Sequence, residues 1–135
     1  MKILVLNGSP RPQGDTAKMV AVFKESAEAA GHEVTVINIC RKNIKGCLAC
    51  EYCHSKGNGK CVQQDDMQEI YDQLQRANML ILASPIYYHG ISGQLKCAID
   101  RFYSALYPKA PETLQKVAMF LSSGDPDMYD GAKPG

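Results

Sequence analysis

Residues 2–16 read KILVLNGSPRPQGDT, and this stretch decides the fold of the chain. Residues 2–7 form a short apolar run that is typical of a buried parallel strand. A loop rich in Gly and Pro follows, and from Thr16 the apolar residues recur with the spacing of an amphipathic helix. A strand, a loop and a helix in this order bring backbone N–H groups and the positive end of a helix dipole together. The sequence therefore predicts an anion site between residues 8 and 16.

The chemistry of this loop favours one kind of anion. The loop lacks the Gly-Lys-Ser/Thr ending of a Walker A loop and the glycine spacing of a dinucleotide loop. Ser9 and Thr16 supply hydroxyl groups, and Arg11 supplies one fixed positive charge. A hydroxyl-rich loop with little charge suits a single terminal phosphate, which indicates FMN rather than ATP or NAD.

Strand and helix patterns alternate along the chain, which predicts a single α/β domain over residues 1–135. The predicted strands cover residues 2–7, 33–39, 78–84 and 116–122. The predicted helices cover residues 16–30, 65–76 and 94–106. This order forms a doubly wound parallel sheet, whose ligands bind where loops leave the carboxyl ends of the strands. We therefore expect the site where segments 8–16, 85–93 and 123–135 meet.

The composition narrows the possible functions. The net charge of the 135 residues is +1, which gives no electrostatic basis for binding nucleic acid or an anionic membrane. No stretch approaches the ~20 apolar residues of a membrane span, and the N-terminal apolar run is too short for a signal peptide. We therefore expect a cytoplasmic protein. In that compartment six cysteines favour metal or redox chemistry over disulfides.

A second loop, SPIYYHGISG at residues 84–93, can hold a planar ring. Its glycines allow close backbone approach, and its two tyrosines offer flat faces. An ordinary strand-to-helix turn with one tyrosine in the core is the alternative. Beside a phosphate loop, this combination favours the isoalloxazine ring of a flavin. Ser122, Ser123 and Gly124 would form a third and weaker wall.

Residues 40–64 form a long insertion with the spacing Cys47-x2-Cys50-x2-Cys53-x7-Cys61. Insertions of this length in a compact domain usually carry function. The spacing of the first three cysteines parallels the opening run of bacterial ferredoxins, which holds an iron–sulfur cluster. Zinc sites more often use two C-x2-C pairs separated by a longer span. The motif favours a [4Fe–4S] cluster, while structural zinc and free or redox-active thiols remain alternatives.

The two loops together carry a resemblance to a known family. LNGSPRPQGDT at residues 6–16 and SPIYYHGISGQLKCAIDR at residues 84–101 resemble the NADPH-dependent FMN reductase family, which has a flavodoxin-like fold. The cysteine motif is similar to that of the iron–sulfur flavoprotein subgroup. The resemblance implies that the FMN phosphate is held by Ser9, Arg11, Gly14, Asp15 and Thr16. It also implies that the isoalloxazine is held by Pro85, Ile86, Tyr87, Tyr88 and Gly90.

One position departs from the family pattern, because Asp15 stands where the family commonly has Asn. A carboxylate beside a phosphate is unfavourable unless it points away or caps the helix. We therefore expect the backbone of Asp15, rather than its side chain, to serve as a ligand.

The resemblance implies an FMN-dependent oxidoreductase. Electrons would arrive from NAD(P)H or a reduced carrier such as ferredoxin, and leave to a quinone, nitroaromatic, oxygen or peroxide. In the iron–sulfur subgroup the cluster relays single electrons, often across a subunit interface, so we expect a homo-oligomer. Three alternatives remain: a plain NAD(P)H:flavin or quinone reductase with structural cysteines, a non-enzymatic flavodoxin-type electron carrier, and a zinc-stapled interaction module.

Two further expectations concern features outside the motifs. Members of this family continue past the fourth strand with a helix, a fifth strand and a closing helix, whereas no such apolar pattern follows Gly124. We therefore expect residues 117–121 to form an exposed apolar sheet edge, in a chain that is truncated or covered by a partner subunit. Asp100 and Arg101, on the third predicted helix, are expected to form a surface or interface ion pair.

Overall fold

The structure of the chain, a computed structural model, describes residues 1–125. Residues 126–135 of the third predicted loop lie outside the described part. The strands are β1 (Lys2–Asn7), β2 (Glu33–Asn38), β3 (Met79–Pro85) and β4 (Lys116–Ser122). The helices are α1 (Asp15–Ala29), α2 (Met67–Leu74), α3 (Gly93–Asp100) and the single turn α4 (Tyr103–Leu106). Each predicted strand is therefore present, to within one residue at either end.

The sheet is parallel, with the strand order β2-β1-β3-β4. β1 lies between two partners, so that Val5 is opposite Val36 of β2 and Ile81 of β3. The chain leaves β1 towards one side of the sheet and β3 towards the other, which creates a crevice beyond the carboxyl ends of these two strands. Among residues 1–125, β4 is an edge strand, as predicted.

Helices cover both faces of the sheet, which confirms the doubly wound fold. Alternate residues of β1 point to opposite faces. One face packs on α1, and its core contains Ile3, Val5, Val20, Ala27, Val34, Ile81 and Ala83. The other face packs on α2 and α3, and its core includes Leu4, Leu6, Met67, Ile70, Leu74, Leu80 and Leu95.

The third predicted helix, residues 94–106, is wrong in its extent. The structure has two helices there, α3 and α4, with a break at Arg101 and Phe102. The carbonyl oxygen of Arg101 accepts hydrogen bonds from the hydroxyls of Tyr71 (3.1 Å) and Ser104 (3.2 Å). The N–H of Ser104 also reaches this carbonyl (3.4 Å), so the chain turns more tightly here than in an α-helix, and the two hydroxyls complete the end of α3.

The surface between α1 and β4 exposes apolar side chains. Val22 and Val117 are both mostly exposed. Phe23 and Phe120 lie beside them and make an edge-to-face contact, with ring centroids 5.3 Å apart. Partial burial along β4 agrees with the predicted apolar edge. Within residues 1–125, no helix has both the length and the apolar character that crossing a membrane requires.

Candidate flavin site and cysteine cavity

A cavity of about 840 Å³ lies beyond the carboxyl ends of β1, β3 and β4. Its volume falls within the range of small-molecule sites. Three segments line it: residues 9–16, residues 85–87 and residues 122–124. It thereby brings together all the predicted cofactor residues except Tyr88 and Gly90. The meeting of three loops at one edge follows from the parallel sheet, since every strand ends on the same side.

The loop after β1 folds around the side chain of Ser9. The Ser9 hydroxyl donates to the carbonyl oxygen of Arg11 (3.3 Å) and accepts from the Arg11 N–H (3.2 Å). The Ser9 N–H donates to Oδ1 of Asn7 (3.1 Å). Helix α1 then begins after Gly14, whose position is not capped by any side chain. The first amides of α1 therefore face the cavity edge with no side-chain acceptor, as an anion site requires.

Two charged side chains flank this helix start. The carboxylate of Asp15 is 86% exposed and lies 3.6 Å from Nζ of Lys18, on the outer surface of α1. The side chain thus reaches into solvent, while its backbone remains at the helix start. Arg11 is exposed, and within residues 1–125 its guanidinium makes no hydrogen bond or ion pair, so it can approach a ligand.

Gly8 is a supporting residue that was not predicted. Its N–H donates to the carbonyl oxygen of Ala83 (2.8 Å), which ties the loop to β3. A Cβ atom at Gly8 would lie 2.8 Å from Cβ of Leu95 and from Oγ of Ser92. Only glycine therefore lets the loop after β1 pack directly on α3. A glycine immediately after a buried strand is the sequence signal that identifies this role.

Two buried serines position the loop after β3, and both were missed. Oγ of Ser84 donates to the carbonyl oxygen of Pro85 (2.8 Å) and accepts from the Ser92 N–H (2.9 Å). Oγ of Ser92 accepts from the Leu95 N–H (3.4 Å) and caps α3. The two ends of the loop are thereby fixed against each other.

The middle of this loop is a tight turn. Tyr87 and Gly90 exchange backbone hydrogen bonds of 2.8 and 3.1 Å. Tyr88 and His89 between them have φ values of 49° and 69°, a left-handed conformation that is costly for residues other than glycine. The side chain of Tyr88 is fully exposed, and Gly90 faces open space. The structure therefore places Tyr87 in the cavity wall, and Tyr88 and Gly90 outside it.

The four predicted metal ligands, Cys47, Cys50, Cys53 and Cys61, line a second and much smaller cavity. Between the first three, Ala49 and Glu51 have left-handed backbone, with φ values of 52° and 56°. This conformation bends the loop around the cavity. Burial raises the pKa of the Cys53 thiol, and the charges of Cys61, Glu51 and Cys47 add to that shift. The thiols are thus near enough to influence one another.

The donor set of this cavity suits a soft metal centre. Thiolates are the ligands of iron–sulfur clusters and of structural zinc. Within residues 1–125, however, no three His, Cys, Asp or Glu side chains converge as they would on a single ion. The four thiols supply a donor set that either a cluster or a zinc ion can use.

Arg101 and Asp65 form a buried ion pair beside the cysteine cavity. Nη1 of Arg101 lies 2.8 Å from one carboxylate oxygen of Asp65, and Nη2 lies 3.1 Å from the other. The two side chains are 1% and 7% exposed. The predicted surface pair of Asp100 with Arg101 is therefore wrong. Asp100 instead pairs with Lys96 on the outer face of α3, because neighbouring positions on a helix point in different directions.

The ion pair stays charged despite its burial. Burial tends to lower the pKa of Arg101, but the contacts with Asp65 and Tyr71 outweigh this effect and raise it. Burial likewise tends to raise the pKa of Asp65, yet hydrogen bonds from Arg101 and from backbone N–H groups hold it below its ordinary value. The guanidinium and the carboxylate thus preserve each other's charge.

One short helix links the two cavities. α3 begins at Gly93, after the loop that carries Tyr87, and its last residue precedes Arg101 of the cysteine cavity. Its eight residues span about 12 Å at 1.5 Å per residue. The insertion also contacts the loop after β1 directly, since Sγ of Cys40 donates to the carbonyl oxygen of Gly8 (3.3 Å).

The strand order and the loop after β1 define a flavodoxin-like fold. Solved structures of this fold include an NAD(P)H:quinone oxidoreductase from Methanothermobacter marburgensis, with a TM-score of 0.74, 21% identity, and coverage of 92% of this chain and 64% of that one. An FMN-dependent NADH-azoreductase from Bacillus anthracis, solved with FMN, has a TM-score of 0.67, 19% identity, and coverage of 92% and 70%. At these identities the likeness establishes the fold.

Comparison of the sequence with known proteins identifies the family of the chain. The chain belongs to the NADPH-dependent FMN reductase family, whose sequence profile matches residues 1–131. An iron–sulfur flavoprotein of Methanocaldococcus jannaschii is 38% identical over 125 residues, which cover 92% of this chain and 62% of the relative. Another, from Archaeoglobus fulgidus, is 40% identical over 101 residues, which cover 75% and 45%. The chain thus spans about half the length of these curated relatives.

Proposed function

We propose that the protein binds FMN in the 840 Å³ cavity and acts as an FMN-dependent oxidoreductase. The observation that carries this proposal is the meeting of an uncapped helix start with a wall formed by Pro85, Ile86 and Tyr87. An anion site and an apolar, aromatic wall within one cavity are what a phosphorylated flavin needs. Family membership and the FMN-bound azoreductase of the same fold support the choice of ligand.

The phosphate would be held mainly by backbone. The N–H groups of Asp15 and Thr16 stand at the positive end of α1, and Arg11 is able to add a charge-assisted hydrogen bond. Ser9 and Gly14 shape the loop, because the Ser9 hydroxyl is engaged by the backbone of Arg11. The Asp15 carboxylate, turned towards Lys18, adds little repulsion.

The ring would lie between the loop after β3 and the segment after β4. Ile86 and Tyr87 offer apolar contact, and Ser123 and Gly124 offer backbone groups on the opposite side. Tyr88 and Gly90 contribute by closing the turn that carries Tyr87. When bound, FMN supplies one- and two-electron chemistry that protein side chains lack. The chain's part is to bind the flavin, to orient it and to leave one face open for a donor or acceptor.

We further propose that Cys47, Cys50, Cys53 and Cys61 hold a [4Fe–4S] cluster. The all-thiol donor set, the bent backbone at Ala49 and Glu51, and the iron–sulfur names of the curated relatives support this assignment. Such a cluster supplies single electrons. It would lie one short helix away from the flavin cavity.

The donor and acceptor are proposed by class. NAD(P)H or a reduced carrier such as ferredoxin would supply electrons, and a small acceptor such as a quinone, nitroaromatic, oxygen or peroxide would receive them. The structural relatives named for NAD(P)H, quinone and azo chemistry support small acceptors. A cytoplasmic location and a homo-oligomer belong to the same proposal.

The test is an anaerobic purification followed by cofactor analysis. We expect FMN to bind in preference to FAD, with quenching of flavin fluorescence, and about four iron atoms and matching sulfide per chain after reconstitution. Preferential FAD binding would contradict the flavin site. One zinc per chain with no iron would contradict the cluster and favour a plain reductase with structural cysteines.

A further inference from the structure

We propose that Arg101 is a positioning residue of the cysteine cavity. Its side chain presents a buried positive charge and one N–H donor to the sulfur atoms of the cluster. This inference rests on the proposed [4Fe–4S] site. It assigns to Arg101 a task that goes beyond holding α3 to the insertion, namely setting the reduction potential of the cluster.

The first observation is an unused donor. The Arg101 side chain is 1% exposed. Its Nη1 donates to the carbonyl oxygen of Lys45 (2.9 Å) and to Asp65, and its Nη2 donates to Asp65. Nε is buried and has no hydrogen-bond partner among residues 1–125. A buried N–H without an acceptor is costly and rare, so it calls for a partner.

The second observation is where the ion pair stands. Arg101 lines the cavity together with the four cysteines, whereas Asp65 does not. Of the two charged partners, the arginine is therefore the one that borders the cavity. Sulfur atoms of cysteine ligands and of the cluster can accept a hydrogen bond from N–H groups, and such bonds help to set cluster potentials.

The third observation is how firmly Arg101 is held. Its guanidinium is gripped by Asp65 and by the Lys45 carbonyl, and its own carbonyl is bonded by the hydroxyls of Tyr71 and Ser104. A charge fixed in this way cannot swing out to solvent. It acts on the cavity at short range and with little screening.

The consequence for the cluster is a higher reduction potential. A cluster held by thiolates gains one more negative charge when it is reduced. A buried positive charge therefore stabilises the reduced state more than the oxidised state. Removing the Arg101 charge should lower the midpoint potential of the cluster. Removing the negative charge of Asp65, which offsets the Arg101 charge, should raise that potential.

The experiment compares Arg101→Gln, Arg101→Lys and Asp65→Asn with the wild type after anaerobic reconstitution with iron and sulfide. The midpoint of the cluster is measured by spectroelectrochemical titration. At a fixed potential we expect Arg101→Gln to raise the ratio of oxidised to reduced cluster about tenfold, or about 59 mV for one electron. Asp65→Asn should shift the ratio in the opposite direction, and Arg101→Lys should retain part of the wild-type value.

Lys96→Gln is the matched control, because it removes a positive charge from the exposed face of α3, the helix that ends next to Arg101. We expect no measurable shift in that variant. A purely structural role of Arg101 predicts that Arg101→Gln and Asp65→Asn lose cluster to a similar extent, with the midpoint of the remaining cluster unchanged. That result would overturn the inference while leaving the cluster intact. A wild-type protein that takes up no iron would overturn both the proposed cluster and this inference.

Discussion

The side-chain oxygen of Thr16 lies 2.7 Å from that of Ser122, across 106 positions of sequence. The contact joins the start of α1 to the end of β4, and both residues line the 840 Å³ cavity proposed for FMN. Thr16 is fully buried. The hydroxyl predicted to bind phosphate thus already has a protein partner, and it fixes the distance between two walls of the site.

Replacing Thr16 by Val should weaken both the fold and the site. The substitution keeps the shape of the side chain but removes a hydrogen bond worth about 0.5–1.5 kcal/mol. We expect the free energy of unfolding in urea to fall by about 1 kcal/mol. FMN affinity should fall several-fold as well. Thr16→Ser keeps the hydroxyl and is the control. Equal FMN affinities for the Val and Ser variants would show that the contact does not shape the cavity.

Arg11 should contribute directly to FMN affinity. Arg11→Ala removes a charge-assisted hydrogen bond to the phosphate and should weaken binding by about 1–3 kcal/mol, with no change in stability because the side chain is exposed. Lys116→Ala removes another exposed positive charge, at the start of β4 and away from the cavity, and should leave affinity nearly unchanged. Fluorescence titrations at two salt concentrations measure both effects. Similar losses in the two variants would indicate a general electrostatic effect instead of a contact at Arg11.

The sequence predicts the sheet well and the tertiary contacts poorly. Buried parallel strands are continuous apolar runs, so β1 and β3 are visible in the sequence by themselves. The end of α3 cannot be read from the local sequence in this way, because it depends on hydroxyls of Tyr71 and Ser104 that reach the Arg101 carbonyl. The burial of Arg101 likewise depends on Asp65, 36 positions away. No local pattern distinguishes such an arginine from an exposed one.

The candidate flavin site likewise has features that the sequence predicts and features that only the folded structure shows. Glycine and hydroxyl residues in loops 8–16 and 84–93 are recognisable because phosphate and flavin chemistry require those residue types. Whether Tyr87 or Tyr88 faces the cavity is set by the left-handed turn at Tyr88 and His89, which the sequence does not reveal. The support that Ser84 and Ser92 give to this loop depends on a hydrogen bond between the two ends of the loop.

The Asp65–Arg101 pair should make stability depend on pH. The pKa of Asp65 is lowered in the folded state, so its contribution to stability is complete above the ordinary value near 3.8 and is lost as the pH falls through the lower folded value. Asp65→Asn leaves the Arg101 charge uncompensated and should cost about 3–5 kcal/mol near neutral pH. The difference between wild type and variant should shrink below the ordinary pKa. Urea denaturation from pH 7 to pH 3 measures this difference. A difference that stays constant over that range would show that Asp65 does not titrate with folding.

The fourth cluster ligand can be tested against a matched cysteine. Cys61 lines the cysteine cavity, whereas Cys40 does not line it and donates its thiol hydrogen to the Gly8 carbonyl. We expect Cys61→Ser to lose most of the iron after anaerobic reconstitution while it retains FMN binding, because the two cavities are separate. Cys40→Ser should keep its iron. The measurements are iron and sulfide content and the visible absorption of the cluster. If Cys40→Ser lost the cluster and Cys61→Ser retained it, the fourth ligand would be Cys40, and the insertion would have to rearrange to bring that thiol away from the phosphate loop.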